Sequence, residues 1–210
     1  MTRILLVRHG ESEWNALGRW QGQADPPLTE LGLRQAKHAA LAIGAVDAVV
    51  ASDLQRARVT AELIAAQLGI GPVIVDPDLR ERDAGEWQGL TRAQIHAQWP
   101  GYLPDDPTSA AGVRGITRRP PSYEDDDHLV ARALRSLHAI ADHVGDSDVV
   151  AVTHGGLIHA VEHHLGVTEW VRIPNLGARW VGVDGDRLVL GDRLVLVDPA
   201  ELTAQAPDQL

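Results

Sequence analysis

The chain contains no cysteine. Disulfides, thiolate nucleophiles and zinc ribbons are therefore excluded together. It contains no phenylalanine either, and aromatics make up only 4% of its 210 residues, so the core must be mostly Leu, Val, Ile and Ala. Basic residues are the minority: 19 Lys and Arg stand against 29 Asp and Glu, a formal net charge of −10. A duplex-binding protein needs a basic face, so nucleic acid is not an expected partner. No segment reaches the roughly 20 apolar residues of a membrane span, and the N-terminal apolar run is too short for a signal peptide. The expectation is a soluble cytoplasmic protein with no membrane partner. An anionic small molecule would have to be held by a local cluster of positive charge inside an acidic shell.

What is present is an alternation of strand-like and helical runs. "RILLV" (3–7), "DAVVAS" (47–52), "PVIVD" (72–76) and "DVVAVT" (148–153) read as strands. "TELGLRQAKHAALAIG" (29–44) has Thr29 at the N-cap position and Leu33, Ala36, Ala40 and Leu41 on one helical face. "DLQRARVTAELIAAQLG" (53–69) opens on an N-cap residue, repeats Ala57, Ala61, Ile64 and Leu68, and stops at Gly69. Further helices are expected over roughly 124–144 and 157–165, and "RWVGVD" with "RLVLGDRLVLVD" reads as a terminal hairpin-like pair. This β-then-α order predicts an α/β fold, a sandwich about a largely parallel sheet. Residues 1–198 are read as one domain, with a Pro- and Gly-rich, lid-like excursion at 100–123 and a frayed tail at 199–210. The terminal strands could offer a pairing edge to a homodimer, although pairing within the chain is the simpler account.

Arg8 and His9 follow one strand in "LLVRHGESEWN" (5–15), and His154 follows another in "VVAVTHGG" (149–156). Ligands of open α/β sheets bind beyond the carboxyl ends of strands. Arg56 lies one turn into the helix after a third strand, and Gly155 and Gly156 open a helix whose free N–H groups favour an anion. Two arginines, two histidines and a helix N-terminus suit a dianionic phosphoryl group. A histidine among arginines has its pKa lowered, leaving it neutral and able to act as a nucleophile. Glu81 and Glu86, in "LRERDAGEWQG" (79–89), are both candidates for the proton donor. Each feature alone is also consistent with a bland role: a structural Arg-His-Gly turn, a solvated helix arginine, an N-cap histidine. His159 and His163 form an i, i+4 pair that could chelate zinc. No cysteine, no H-E-x-x-H and no third ligand accompany the pair, so solvated or packing histidines are the default and no metal is expected.

"LLVRHGESEWN", "RWQGQADPPLTELGLRQA", "VVASDLQRARVTAELIA", "LRERDAGEWQGLT" and "VVAVTHGGLIHAV" resemble, in order and spacing, motifs of the histidine phosphatase superfamily, the phosphoglycerate mutase-like branch. The resemblance covers roughly residues 3 to 165 and implies a three-layer α/β/α sandwich with no metal cofactor. It implies His9 as the nucleophile that becomes phosphorylated, with Arg8, Arg56 and His154 completing the phosphate pocket. Asn15, Gln21, Gly22 and Gly155 would add contacts to substrate. Glu81, rather than Glu86, falls at the family's proton-donor position.

A phosphomonoester hydrolase acting on a small phosphorylated metabolite is the favoured expectation, since "THGGL" and the modest length are nearer the family's phosphatase pattern. The alternative is a cofactor-dependent phosphoglycerate mutase, which would need 2,3-bisphosphoglycerate. "TRRPP" (117–121) echoes a paired-arginine segment of mutases, which makes Arg118 and Arg119 substrate-binding candidates. A catalytically silent binding module on the same scaffold is the non-enzymatic alternative, and the intact set Arg8, His9, Arg56, Glu81 and His154 argues against it.

Overall fold

A computed structural model describes residues 1–103 and 118–197. In chain order the elements are β1 (Thr2–Arg8), α1 (Glu13–Ala16), α2 (Glu30–Ile43), β2 (Ala48–Ala51), α3 (Gln55–Leu68), β3 (Ile74–Val75), α4 (Arg92–Gln98), α5 (Asp126–Val144), β4 (Asp148–Thr153), α6 (Gly155–His164), β5 (Gly177–Asp184) and β6 (Arg187–Val195). Single 3-10 turns at Pro77–Leu79 and Gly85–Trp87 lie between β3 and α4. The sheet order is β3-β2-β4-β1-β5-β6. The first four of these strands are mutually parallel, and β5 and β6 add antiparallel.

Side-chain alternation builds the layers. Ile4 and Leu6 of β1, with Val149 and Ala151 of β4, pack under α5 and α6. Leu5 and Val7, with Val150 and Val152, pack on the opposite face under α2 and α3. Both faces of the central strands are thus covered, and a strand buried on both faces must read as a continuous apolar run. The result is the three-layer α/β/α sandwich expected from the sequence, and the terminal pair forms as β5 and β6 within the chain.

Three local expectations need correction. The buried stripe of α2 runs through Gly32, Ala36, Ala39 and Ala40, small residues that allow close packing, while Leu41 falls off it and is 74% exposed. Asp53 does not cap α3; its carboxylate takes both ends of the Arg80 guanidinium at 2.7 and 2.5 Å. The cap comes instead from Asp25, whose Oδ1 accepts from Gln55 N at 2.7 Å. Helix α6 starts two residues earlier than expected, at Gly155, directly against His154. Thr29 caps α2 as expected, its Oγ1 accepting from Gly32 N at 3.0 Å.

A third, smaller cluster lies beyond the sheet's C-terminal edge, where Trp87, Ala84, Ile95 and Leu103 are buried against Trp20, Trp99, Tyr102 and Tyr123. Five of the eight aromatic side chains (six Trp, two Tyr) are concentrated here, leaving the main core aliphatic. Trp87 stands edge-on to Trp20 and Tyr123, with centroids 5.1 and 5.4 Å away. Most of the expected lid, including Arg114, lies outside the described residues, as does the 199–210 tail. No described helix is long and apolar enough to cross a membrane.

Candidate active site

Three strand ends converge because β4 lies between β2 and β1. In register, Ala51 of β2 faces Val152, and Arg8 of β1 faces Thr153. The next residues, Ser52, His154 and His9, therefore emerge side by side. His9 extends the ladder by donating from its N–H to Thr153 O at 3.0 Å. Its ring is 3% exposed, and Nδ1 lies 2.6 Å from Gly10 O. A carbonyl only accepts, so Nδ1 carries the proton and Nε2 keeps its lone pair. Arg56 Nε lies 3.3 Å from that Nε2.

Arg56 is fully buried and is anchored by Nη1 donating to Ala24 O at 2.7 Å and Nη2 to Gly22 O at 2.8 Å, which leaves a second N–H on each of these nitrogens. Gly22 has φ +52°, and a Cβ there would come within 2.8 Å of Ala84 N, so a larger residue would be strained there. Arg8 donates to Ile173 O at 2.6 Å. Burial lowers both guanidinium pKa values to about 10, with Arg172 a further cause at Arg8, so both stay charged at neutral pH. Burial first, then Arg56 and Arg8, hold His9 well below the ordinary 6.5. His9 is thus neutral with its lone pair on Nε2, the state that a nucleophilic histidine requires.

His154 is the N-cap residue of α6, but its side chain makes no capping bond. Its Nε2 lies 3.0 Å from Ser52 Oγ, its ring centroid is 5.1 Å from that of His9, and its Nδ1 is buried without a partner. Burial, Arg56 and His9 lower its pKa well below 6.5. Glu81 accepts from Gly156 N through Oε2 at 3.0 Å and from Arg82 N through Oε1 at 2.8 Å. A Cβ on Gly156 would sit 2.3 Å from Glu81 Oε1, so a larger residue there would displace this carboxylate. Glu86 is exposed on the second 3-10 turn.

A cavity of about 470 Å³ opens over this cluster and is lined by Arg8, His9, Asn15, Gln21, Gly22, Arg56, Glu81 and Gly155 from the sequence-predicted set. His154 sits behind that wall, against His9. Asn15 and Gln21 are linked through Ser12, whose Oγ donates to Gln21 Oε1 at 2.8 Å and accepts from Asn15 N at 3.2 Å. Arg118 and Arg119 are not among the cavity's described lining residues. Arg118 is exposed, and Arg119 bonds Asp126 at 2.6 Å with its guanidinium 5.5 Å above Tyr123. Tyr123 does line the cavity, so Arg119 stands one ring removed from it.

Of the outer half of the cavity, sequence reading singled out Tyr123, as a lid residue expected to select the substrate, and missed Arg19, Arg82, Arg92, Arg172, Trp20, His159 and Trp170 as lining. Only Arg82, next to Glu81, carried a signal. It also missed Asn175, whose Nδ2 donates to His9 O at 2.9 Å and to Asn15 Oδ1 at 3.2 Å. His159 of the i, i+4 pair stacks on Trp170 at 5.4 Å, with Nδ1 3.5 Å from Glu162 Oε2. Among the described residues no group of three or more His, Cys, Asp and Glu is placed to hold a metal.

The two depressed histidines link stability to pH. Below pH 6.5 the unfolded chain takes up protons that folded His9 and His154 refuse, so stability rises with pH through that window and falls as pH drops. Each contributes a slope of up to about 1.4 kcal/mol per pH unit below 6.5. Urea midpoints at pH 7.5, 6.5 and 5.5 should show the decline, and His9→Gln should flatten it. An equal slope in that variant would remove His9 from the account.

The chain belongs to the histidine phosphatase superfamily (branch 1), whose model matches residues 4–190. Among its relatives, a metal-independent phosphoserine phosphatase of Arabidopsis thaliana is 50% identical over 93 residues, 43% of this chain and 39% of that protein. A probable phosphoglycerate mutase of Proteus mirabilis is 44% identical over 100 residues, 47% of this chain and 46% of that protein. The chain thus spans less than half the length of these curated relatives. A solved mycobacterial glucosyl-3-phosphoglycerate phosphatase, complexed with VO3, superposes with a TM-score of 0.76 at 32% identity, over 90% of this chain and 96% of that one.

Proposed function

We propose that this chain is a metal-independent phosphomonoesterase acting in the cytoplasm on a small phosphorylated metabolite with a second anionic group. The observation that carries the reading is His9 Nε2, unprotonated at the floor of a cavity beside buried Arg56 and half-buried Arg8. The phosphoryl oxygens would lie against Arg8, Arg56 and the N-terminus of α6, which neutralise charge as it spreads in the transition state. His9 Nε2 attacks phosphorus in line while the P–O bond to the leaving group breaks and Glu81 donates a proton to the departing oxygen. Water then attacks the phosphohistidine, giving its proton to Glu81, and the N–P electrons return to Nε2 as phosphate leaves.

The second anionic group would lie in the outer cavity. Arg172 is exposed at its lip, close enough to act on Arg8, and has no ion-pair partner among the described residues. Arg82, by contrast, is paired with Asp126 at 2.7 Å. A carboxylate on the leaving group would meet Arg172, and the phosphatases named above act, by their names, on phosphoserine and glucosyl-3-phosphoglycerate. Hydrolysis is favoured over mutase chemistry because Arg118 and Arg119 stand off the cavity.

The test is a phosphoester panel scored for phosphate release and isomer exchange, in EDTA, with and without 2,3-bisphosphoglycerate. Release without exchange is expected. Exchange dependent on the bisphosphate would establish the mutase, and no turnover at all the binding module. Arg172→Ala should raise KM about tenfold for carboxylate-bearing esters, through loss of one charged contact, and leave p-nitrophenyl phosphate unchanged. An equal effect on both would remove the second anion from the proposal.

A further inference from the structure

A buried ion pair supports the segment that carries Glu81. Arg132 of α5 and Glu124, just ahead of that helix, have side chains only 5% exposed. Arg132 Nε and Nη2 grip Glu124 Oε1 and Oε2 at 2.7 and 2.8 Å. Its other donors go to main-chain carbonyls: Nη1 to Asp78 O at 2.8 Å and Arg80 O at 2.5 Å, Nη2 to Glu81 O at 3.0 Å. A guanidinium has five N–H groups, and all five are engaged. The remaining carbonyl of the stretch, Leu79 O, accepts from Thr153 Oγ1 at 2.7 Å.

Four consecutive carbonyls, 78 to 81, are therefore held by side chains from α5 and the end of β4. Three of them converge on one cation. Their dipoles repel one another, so the positive charge between them stabilises this path of the backbone, with Gln23 Nε2 a second donor to Glu81 O at 3.2 Å. Glu124 completes the clamp from the other side: Oε2 accepts from Asp83 N at 3.1 Å, and its own carbonyl accepts from Arg82 Nη1 at 2.8 Å. Against the desolvation that burial imposes, Arg132 keeps the Glu124 carboxyl below its ordinary value, so the pair stays ionised. An apolar pair of similar volume could be at least as stable in such a place. It could not satisfy three carbonyls and a main-chain N–H at once.

We propose that Arg132 and Glu124 are positioning residues for proton transfer, fixing the backbone of residues 78–83 so that the Glu81 carboxyl reaches the leaving-group oxygen. The proposal rests on Glu81 being the proton donor, and the experiment separates the two. General-acid help matters for an alkoxide and hardly at all for p-nitrophenolate, a stable anion. The ratio of kcat/KM on β-glycerophosphate to that on p-nitrophenyl phosphate isolates the protonated step, because kcat/KM reports only events through leaving-group departure.

Glu81→Gln should lower this ratio about 100-fold. Arg132→Lys, with three donors on a flexible stem, and Glu124→Gln should each lower it about tenfold or more, with p-nitrophenyl phosphate within about threefold of wild type. Thermal melts would be recorded for each, and if Arg132→Met fails to fold, the Lys and Gln variants decide. Equal losses on both substrates, or none, in those variants while Glu81→Gln discriminates would overturn the positioning role. A Glu81→Gln enzyme that does not discriminate would instead overturn Glu81 as the donor.

Discussion

His9→Ala should lower phosphomonoester kcat/KM by about 10⁴-fold or more and abolish an acid-labile phosphoenzyme. The size follows from geometry. Nε2 is the one ring nitrogen with a lone pair, held only by a long contact of 3.3 Å from Arg56 Nε, because Nδ1–H is committed to Gly10 O at 2.6 Å. Its neighbour His154 offers no substitute, since it is fully buried behind the cavity wall with Nε2 turned to Ser52 at 3.0 Å. Brief incubation with labelled substrate, an acid quench series and denaturing gels would read the phosphoenzyme. Near-wild-type turnover and labelling in the variant would defeat the phosphohistidine mechanism.

Arg56→Met should cost about 10³-fold in kcat/KM, because a buried cation poised on developing phosphoryl charge is worth far more than a solvated one. It should also change His9 itself. Burial is the largest cause of that histidine's depressed pKa and Arg56 the next, so removing the guanidinium should raise the value part of the way toward 6.5. An NMR titration of His9 would follow the rise, and an unmoved titration would mean that Arg56 does not set the charge on the nucleophile. Some stability is lost too, since Gly22 O and Ala24 O lose their donors at about 1–3 kcal/mol each if left unpaired.

The inner site was legible because each of its residues adjoins an element whose pattern is strong. Arg8, His9 and His154 directly follow continuous apolar runs, and Arg56 lies within the first turn of a well-patterned helix. Once those runs are parallel strands, their ends must share an edge. The misplaced cap of α3 has a physical cause. Asp53 looks like an N-cap by position, but a carboxylate takes the best donor within reach, and folding brings Arg80 to it while bringing Asp25 to the helix. The paired arginines of "TRRPP" show the same limit, since Asp126 and the Tyr123 ring engage Arg119 beside the cavity.

By itself the sequence determined the layered α/β fold, the strand ends and the inner set of phosphate-site candidates, because hydrophobic periodicity and chain adjacency are local properties. The tertiary structure alone decided the outer cavity and the support behind Glu81. Arg172 and Trp20 come from separate loops with no shared period, so only packing brings them to one cavity. Arg132 lies more than fifty residues from the carbonyls it holds, and hydrogen bonds across that separation leave no trace in spacing. A guanidinium buried against converging carbonyls and one solvated on a helix face are the same letter in a sequence; burial and direction distinguish them.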